Sequence, residues 1–288
     1  MTRDRFLRIG SAAGYGIGLA ALISLVQHDG GLAIDARSYW LAGRHLIEGQ
    51  PLYEPVAIDA VGPFRYPPLF AQLWLPLALL PELAFAWAWR FFCFLCLRYL
   101  AGSWRNVGLW LLIPLSVTEL SAANVTLPVG AAILASLRGH PGLAAWAGAL
   151  KVGGFLLIPY LWWVRPSERR GLVLGLATLG AACGVSFLLA PDDWGRYLQS
   201  LGWQAVSPLV GGGLIALLPT AATDFGLRLG VGVGITILAL LLRSDRLAYV
   251  ASVATVPTLW LQRLVPMLAV FRLPPRPEVS EVAGESRP

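Results

Sequence analysis

The sequence predicts an all-α polytopic membrane protein, and three observations carry that prediction. Of 288 residues, 57% are hydrophobic and 13% charged, against about 45–50% and about 25% in soluble domains. Mean hydropathy is +0.65. Uncharged apolar runs recur from one end to the other, spaced by short arginine-bearing loops, as in helices solvated by lipid. This argues against a soluble enzyme, a nucleic-acid binder and a secreted disulfide scaffold. The 22 basic residues outnumber the 16 acids, but no basic run carries interleaved aromatics. The cysteines are odd in number, and Cys93 and Cys96 read as a buried apolar pair.

The runs fall at roughly 9–27, 67–81, 83–101, 107–118, 122–137, 141–164, 171–191, 209–220, 225–242 and 247–271. They predict eight to ten membrane segments in one integral domain over 1–272, then a polar, Pro/Glu-rich, disordered tail at 273–288. The first run is long enough to span and lacks a small-residue cleavage site, so it reads as a retained helix. Runs 107–118 and 209–220 are too short for a ~30 Å core, and re-entrant pairs or a thinned bilayer are expected there. Run 141–164 is either one helix or two half-helices meeting at Lys151-Val152-Gly153-Gly154. The second is required if Arg138 lies on the side of Arg165. Arg3, Arg5 and Arg8, with Arg165, Arg169 and Arg170, place the first residues and that later loop in the cytoplasm. Residues 28–66 then face the extracytoplasmic side.

That loop carries order. Apolar residues at 36, 39, 40, 43, 46 and 47 follow a helical period, and Gly49 stops it. An interfacial helix is expected, with its aromatic face in the headgroups and Arg44 and Glu48 paired at i, i+4. Asp35 at its start is either a cap or a base for an acceptor hydroxyl, and the two roles are compatible. Phe64-Arg65-Tyr66-Pro67-Pro68-Leu69 closes the loop with an extended segment that opens a helix.

Charges inside apolar runs are costly and tend to face a cavity. Here they are Arg90, Glu119, Lys151, Arg228 and Arg263, and Lys151 is the only lysine. Its counter-ion is equally a bound phosphate or a carboxylate such as Glu119. Arg90 and Arg228 read as snorkelling or structurally paired. Asp192 and Asp193 follow Pro191 and read as caps of a helix over 194–202. His28, His45 and His140 are too scattered for a metal cluster.

Taken in order, Asp35, Tyr39, Gly49, Pro51, Tyr53 and Phe64-Arg-Tyr66-Pro67-Pro68-Leu69, with the stretch Pro76 to Pro81, resemble the first loop of glycosyltransferase family 87, membrane enzymes that use polyprenyl-phosphate sugars. Ala122-Ala-Asn124-Val resembles the family's Gln-x-Asn segment, and Gly148-Ala-Leu-Lys151 its Ala-Leu-Lys-Pro segment. Pro191-x-x-Trp194-x-x-Tyr197-Leu198 and Pro257-x-x-Trp260 resemble later positions. The resemblance spans residues 35 to about 263. It implies a GT-C type fold of membrane helices with an extracytoplasmic active site. A hexose, typically mannose, would pass with inversion from a polyprenyl-phosphate donor to a lipid or glycan acceptor in a bacterial cell membrane. Asp35 falls on the catalytic base position. Arg65, Tyr66, Lys151 and Arg263 would contact the donor's phosphate or sugar, and Tyr39, Tyr53, Pro67, Pro68, Asn124, Trp260 and Gln262 would shape the site. No metal or other cofactor is implied, and the partners are donor, acceptor and membrane lipids. Family members are usually longer and have histidines after the Trp260 position, where this chain has Gln262 and Arg263. Ala122 and Val152 replace the family's Gln and Pro. Two other classes remain: a translocase for polyprenyl-linked sugars, and a non-catalytic partner in a cell-envelope glycosylation complex.

Overall fold

Apolar runs become helices, but most are shorter than a bilayer is thick. The computed structural model describes residues 2–28, 33–53, 63–205, 225–255 and 261–273, and among them there is no strand. The run at 209–220 and the tail beyond Leu273 lie outside the described residues. The helices are α1 (Arg3–His28), α2 (Ile34–Glu48), α3 (Pro68–Ala78), α4 (Glu82–Ala101), α5 (Trp104–Leu111), α6 (Pro114–Ala122), α7 (Thr126–Ser136), α8 (Leu143–Leu150), α9 (Leu157–Val164), α10 (Arg169–Leu189), α11 (Pro191–Ala205), α12 (Phe225–Leu242) and α13 (Asp245–Ala254). Short 3-10 segments cover Val152–Leu156 and Pro166–Glu168, and a longer one Leu261–Arg272. Among the described residues, three helices are long and apolar enough to cross a membrane: Arg3–His28, Glu82–Ala101 and Pro166–Leu189. The chain is an all-α membrane protein.

One end of the bundle is rich in arginine. There, Arg105 pairs with Asp4 at 2.9 Å, the Arg272 guanidinium donates to the Tyr99 carbonyl, and Arg138 donates to the Arg272 carbonyl at 3.1 Å. Arg165 donates to the Leu137 carbonyl at 2.7 Å and pairs with Asp245 at 2.7 Å. Asp245 also accepts from Tyr160 at 2.7 Å, and Arg246 donates to the Leu273 carbonyl. These contacts gather the end of α4, the end of α7, both sides of the α9–α10 turn, the start of α13 and the end of the last 3-10 helix.

Three stretches therefore leave and return at the same end. The first is α5–α6–α7, in which α6 and α7 meet at 106°. The second is α8, the 3-10 turn and α9, so run 141–164 is two half-helices broken at Lys151. The third is α13 and the last 3-10 helix. A helix of 8 residues such as α5 or α8 rises only about 12 Å, too little to cross a bilayer alone. Pro114 splits the run 107–118 into α5 and α6, because it cannot donate to the preceding turn.

At the opposite end lie α2, α3 and the start of α4. Arg37 pairs with Glu82 at 3.2 Å, and Trp40 Nε1 donates to the Leu80 carbonyl at 2.9 Å. Gly49 ends α2 with φ 68°, and Arg44 pairs with Glu48. The aromatic face of α2, expected in the headgroups, is turned into the protein instead. Tyr39 is 1% exposed, while Ile34, Arg37 and Ile47 face outward. Burying a phenol among other rings removes more apolar surface from water than an interfacial position would.

The first hairpin rests on α1 through a very close approach. A Cβ on Gly14 would lie 1.7 Å from the Gly108 carbonyl oxygen, and one on Gly18 would lie 2.6 Å from Leu111 Cβ. A Gly14→Leu substitution should separate α1 from α5 and lower the thermal midpoint in detergent by several degrees, a cost of about 1–3 kcal/mol or more. Gly16→Ala, inside the same helix and with open space around it, should leave that midpoint unchanged or slightly higher.

Candidate active site

The two described hairpin tips carry the site. At the first, α6 closes on Ala123 at φ 51°, whose N–H donates to the Glu119 carbonyl at 3.0 Å. The break strips the adjoining carbonyls of helical partners, and α4 supplies replacements. Trp89 Nε1 donates to the Ala123 carbonyl at 2.8 Å, Arg90 to the Ser121 carbonyl at 3.4 Å, and the Cys93 thiol to the Asn124 carbonyl at 3.6 Å. From α2, the Tyr39 hydroxyl oxygen accepts the Val125 N–H at 3.2 Å.

At the second tip, Lys151 is extended, with φ −145° and ψ 120°. A Cβ on Gly153 would lie 2.1 Å from the Ser252 carbonyl oxygen, and one on Gly154 would lie 2.4 Å from Gly148 N. Both positions need glycine so that the turn can press against α8 and α13. Lys151 is 5% exposed, and its Nζ donates to Asn124 Oδ1 at 3.0 Å and Thr126 Oγ1 at 2.6 Å. The lysine thus bridges the two tips.

An aromatic wall faces this junction. Tyr39 stacks on Trp74 at 4.6 Å and meets Tyr66 and Trp89 edge-on, both at 5.6 Å. The Tyr39 and Tyr66 hydroxyls are 3.4 Å apart. Pro67 and Pro68 are buried and set the extended turn that opens α3. Tyr53 donates to the Tyr66 carbonyl and packs on Phe64 and Tyr197. Burial pushes the Tyr53 phenol well up, helped by neighbouring Tyr197 and Asp193.

Asp35 is not the N-cap of α2. The helix begins at Ile34 with Ala33 as its N-cap and no side-chain cap bond, so Asp35 occupies the first turn, half-exposed. Its carboxylate is favoured there by the helix dipole.

The structure therefore brings Tyr39, Tyr66, Asn124 and Lys151 together, with Asp35 at the head of the same helix as Tyr39. Tyr53, Pro67 and Pro68 brace the loop, and Arg65 stands half-buried beside Tyr66. Gln262 and Arg263 lie on the last 3-10 helix, but their side chains, like the whole of Trp260, lie outside the described residues. Sequence reasoning missed Trp74, Trp89, Cys93 and Thr126 as parts of the site. The signal for α4 was present, since Phe85, Trp89, Cys93, Cys96 and Leu100 recur at helical spacing on one face.

Beside this site, a cleft of about 430 Å³ opens between Leu46, Gln50 and Pro51 and the α10–α11 corner at Asp192, Asp193 and Arg196. Both acids sit in the first turn of α11, which starts at Pro191. Burial pushes the Asp193 carboxyl up, against the opposing pull of Arg196 and the Leu52 N–H.

No family model, curated protein or solved structure matches the chain. Its functional reading rests on the residues and their arrangement.

Two expectations follow. Tyr39→Phe keeps the ring stack but leaves the Val125 N–H without its acceptor, and should cost about 1–3 kcal/mol in chemical unfolding. For Asp193, a raised carboxyl contributes stability below the ordinary carboxylate range, lost as pH rises through the raised value. Asp193→Asn should therefore raise the thermal midpoint at pH 7, and the gain should vanish below about pH 3.9.

Proposed function

We propose that the protein is a membrane glycosyltransferase that moves a hexose, typically mannose, from a polyprenyl phosphate to a lipid or glycan acceptor with inversion. The observation that carries this reading is the placement of Asp35. It is a half-exposed carboxylate in the first turn of a helix whose Tyr39 reaches the tip junction of Lys151 and Asn124. An acid on one side and an ammonium with amide donors on the other suit a reaction in which a hydroxyl loses a proton and a phosphate departs.

In this reading Asp35 takes the acceptor's hydroxyl proton, and the oxygen attacks the anomeric carbon. The bond from that carbon to the phosphate oxygen breaks, and the electron pair leaves with the polyprenyl phosphate. Lys151, Arg65 and Tyr66 face the phosphate or the sugar. The Tyr39, Tyr66, Trp74 and Trp89 rings supply the flat apolar surface on which a pyranose ring can rest. Arginine gathers at the far end of the bundle, which by the positive-inside rule is cytoplasmic, so the site opens toward the extracytoplasmic side.

Asp35→Asn keeps the side chain's shape and should lower mannose transfer from polyprenyl phosphate by about a hundredfold to ten-thousandfold. Its thermal midpoint and expression should match the parent chain. Transfer assays beside melting curves check both, and a variant that unfolds or accumulates poorly would return Asp35 to a structural role.

A further inference from the structure

The junction between the tips leaves one donor unmatched. Asn124 is 1% exposed, and its Oδ1 accepts from Lys151 Nζ at 3.0 Å, Thr126 N at 3.1 Å and Thr126 Oγ1 at 2.7 Å. Three converging donors fix the amide's orientation, because a flip would set N–H groups against an ammonium and a backbone N–H. Nδ2 is thereby directed away from all three, and among the described residues it has no hydrogen-bond partner. Native proteins seldom bury such a group unless a ligand, a water or strain accounts for it.

Its surroundings indicate the chemistry of a ligand. Lys151 brings an ammonium, and α7, 11 residues long, presents its positive N-terminal end at Thr126. The acceptor half of Asn124 is saturated, so the amide has only donor hydrogens left to give. A sugar hydroxyl calls for acceptors as well as donors, whereas a phosphate group offers acceptor oxygens alone. The tip also lies where half-helices meet inside an apolar bundle, a position reached by a phosphate on a hydrocarbon chain more readily than by free phosphate.

We infer that Asn124 Nδ2 donates to a phosphate oxygen of an isoprenoid phosphate, with Oδ1 held by Lys151 and Thr126 to aim it. The isoprenoid identity rests on the proposed function, and the phosphate contact rests on the junction itself. The side chain is then a binding group as well as a bridge between hairpins.

Asn124→Asp separates the two roles. It keeps an oxygen for Lys151 and Thr126 and replaces the N–H donor by an oxygen that repels phosphate. The probe is farnesyl phosphate, titrated by calorimetry into the purified chain in detergent, with farnesol as the control lacking phosphate. The parent chain should bind farnesyl phosphate and discriminate against farnesol. Asn124→Asp should bind about tenfold to a hundredfold more weakly, with an unchanged or higher thermal midpoint. Should that variant fail to accumulate, Asn124→Ser, which also lacks the Nδ2 donor, should show the same loss.

Binding by a folded Asn124 variant equal to the parent's would overturn the inference and leave Nδ2 to an internal water only. Failure of the parent to discriminate farnesyl phosphate from farnesol would overturn it too. Loss of binding on substitution, in a chain that transfers no sugar, would uphold the phosphate contact and reject the transferase reading.

Discussion

A helix that stops inside apolar surroundings must hand its last carbonyls and first amides to other groups, and the fold is organised around that requirement. Among the described residues the chain breaks in this way between α6 and α7, at 123–125, and after α8, at Lys151. Neither tip could stand alone, because half-helices of about 12 Å have little surface of their own to bury. The first tip is completed by Trp89, Arg90 and Cys93 from α4 and by Tyr39 from α2. The second is completed by glycines that admit the backbone of α13. Lys151 joins the two through Asn124 and Thr126. Tyr39 and Asn124 both satisfy backbone N–H groups and face the candidate site, so stability and binding chemistry overlap there.

The arginine-rich end performs the complementary task. Each hairpin returns to that end, and what closes it is a guanidinium on a carbonyl: Arg165 on Leu137, Arg138 on Arg272, Arg272 on Tyr99, Arg246 on Leu273. Arginine suits this work because it stays charged and presents several donors in a rigid fork to carbonyls left open at helix ends. Asp245 receives both Arg165 and Tyr160, so α9 and α13 are held at one acid. Hairpins tied at their roots can meet tip to tip without a continuous helix crossing between them.

Much of this was legible in local pattern. The span of α2 and its Gly49 stop followed from period and from glycine's freedom at positive φ. The break at Lys151 was one of two readings of run 141–164, and it turned on which side Arg138 lies. What local pattern could not give was partnership across the chain. Asp35 suits a cap by type, yet the helix starts two residues earlier than such a cap would set, with Ala33 as its N-cap and Ala33 and Ala36 buried, so that tertiary packing outweighs capping preference. The inward face of α2 was likewise decided by Trp74 and Trp89, which lie on other helices. Trp89 and Cys93 looked like two more apolar residues in an apolar run. Their role exists only because Ala123 turns left-handed beside them.

These two kinds of residue differ in what their loss should expose. Trp89, Arg90 and Cys93 satisfy carbonyls that no ligand approaches in the proposed reaction, so their removal is felt first in the fold. Asp35 sits in the first turn of its helix, and among the described residues the Nδ2 end of Asn124 has no hydrogen-bond partner. At the junction of the two tips, where side chains close the broken helices, such a donor carries information. A carboxylate in a first turn is tolerated anywhere a helix dipole meets solvent. A buried amide donor beside an ammonium is tolerated far less readily, and it persists where an acceptor arrives from outside the chain. Tyr39 links the pair, one turn from the acid along α2 and bonded to the Val125 N–H next to Asn124. Asp35 is the more exposed and Asn124 and Lys151 the more buried, the order that the proposed reaction would need, with a proton leaving toward water and a phosphate staying with its lipid.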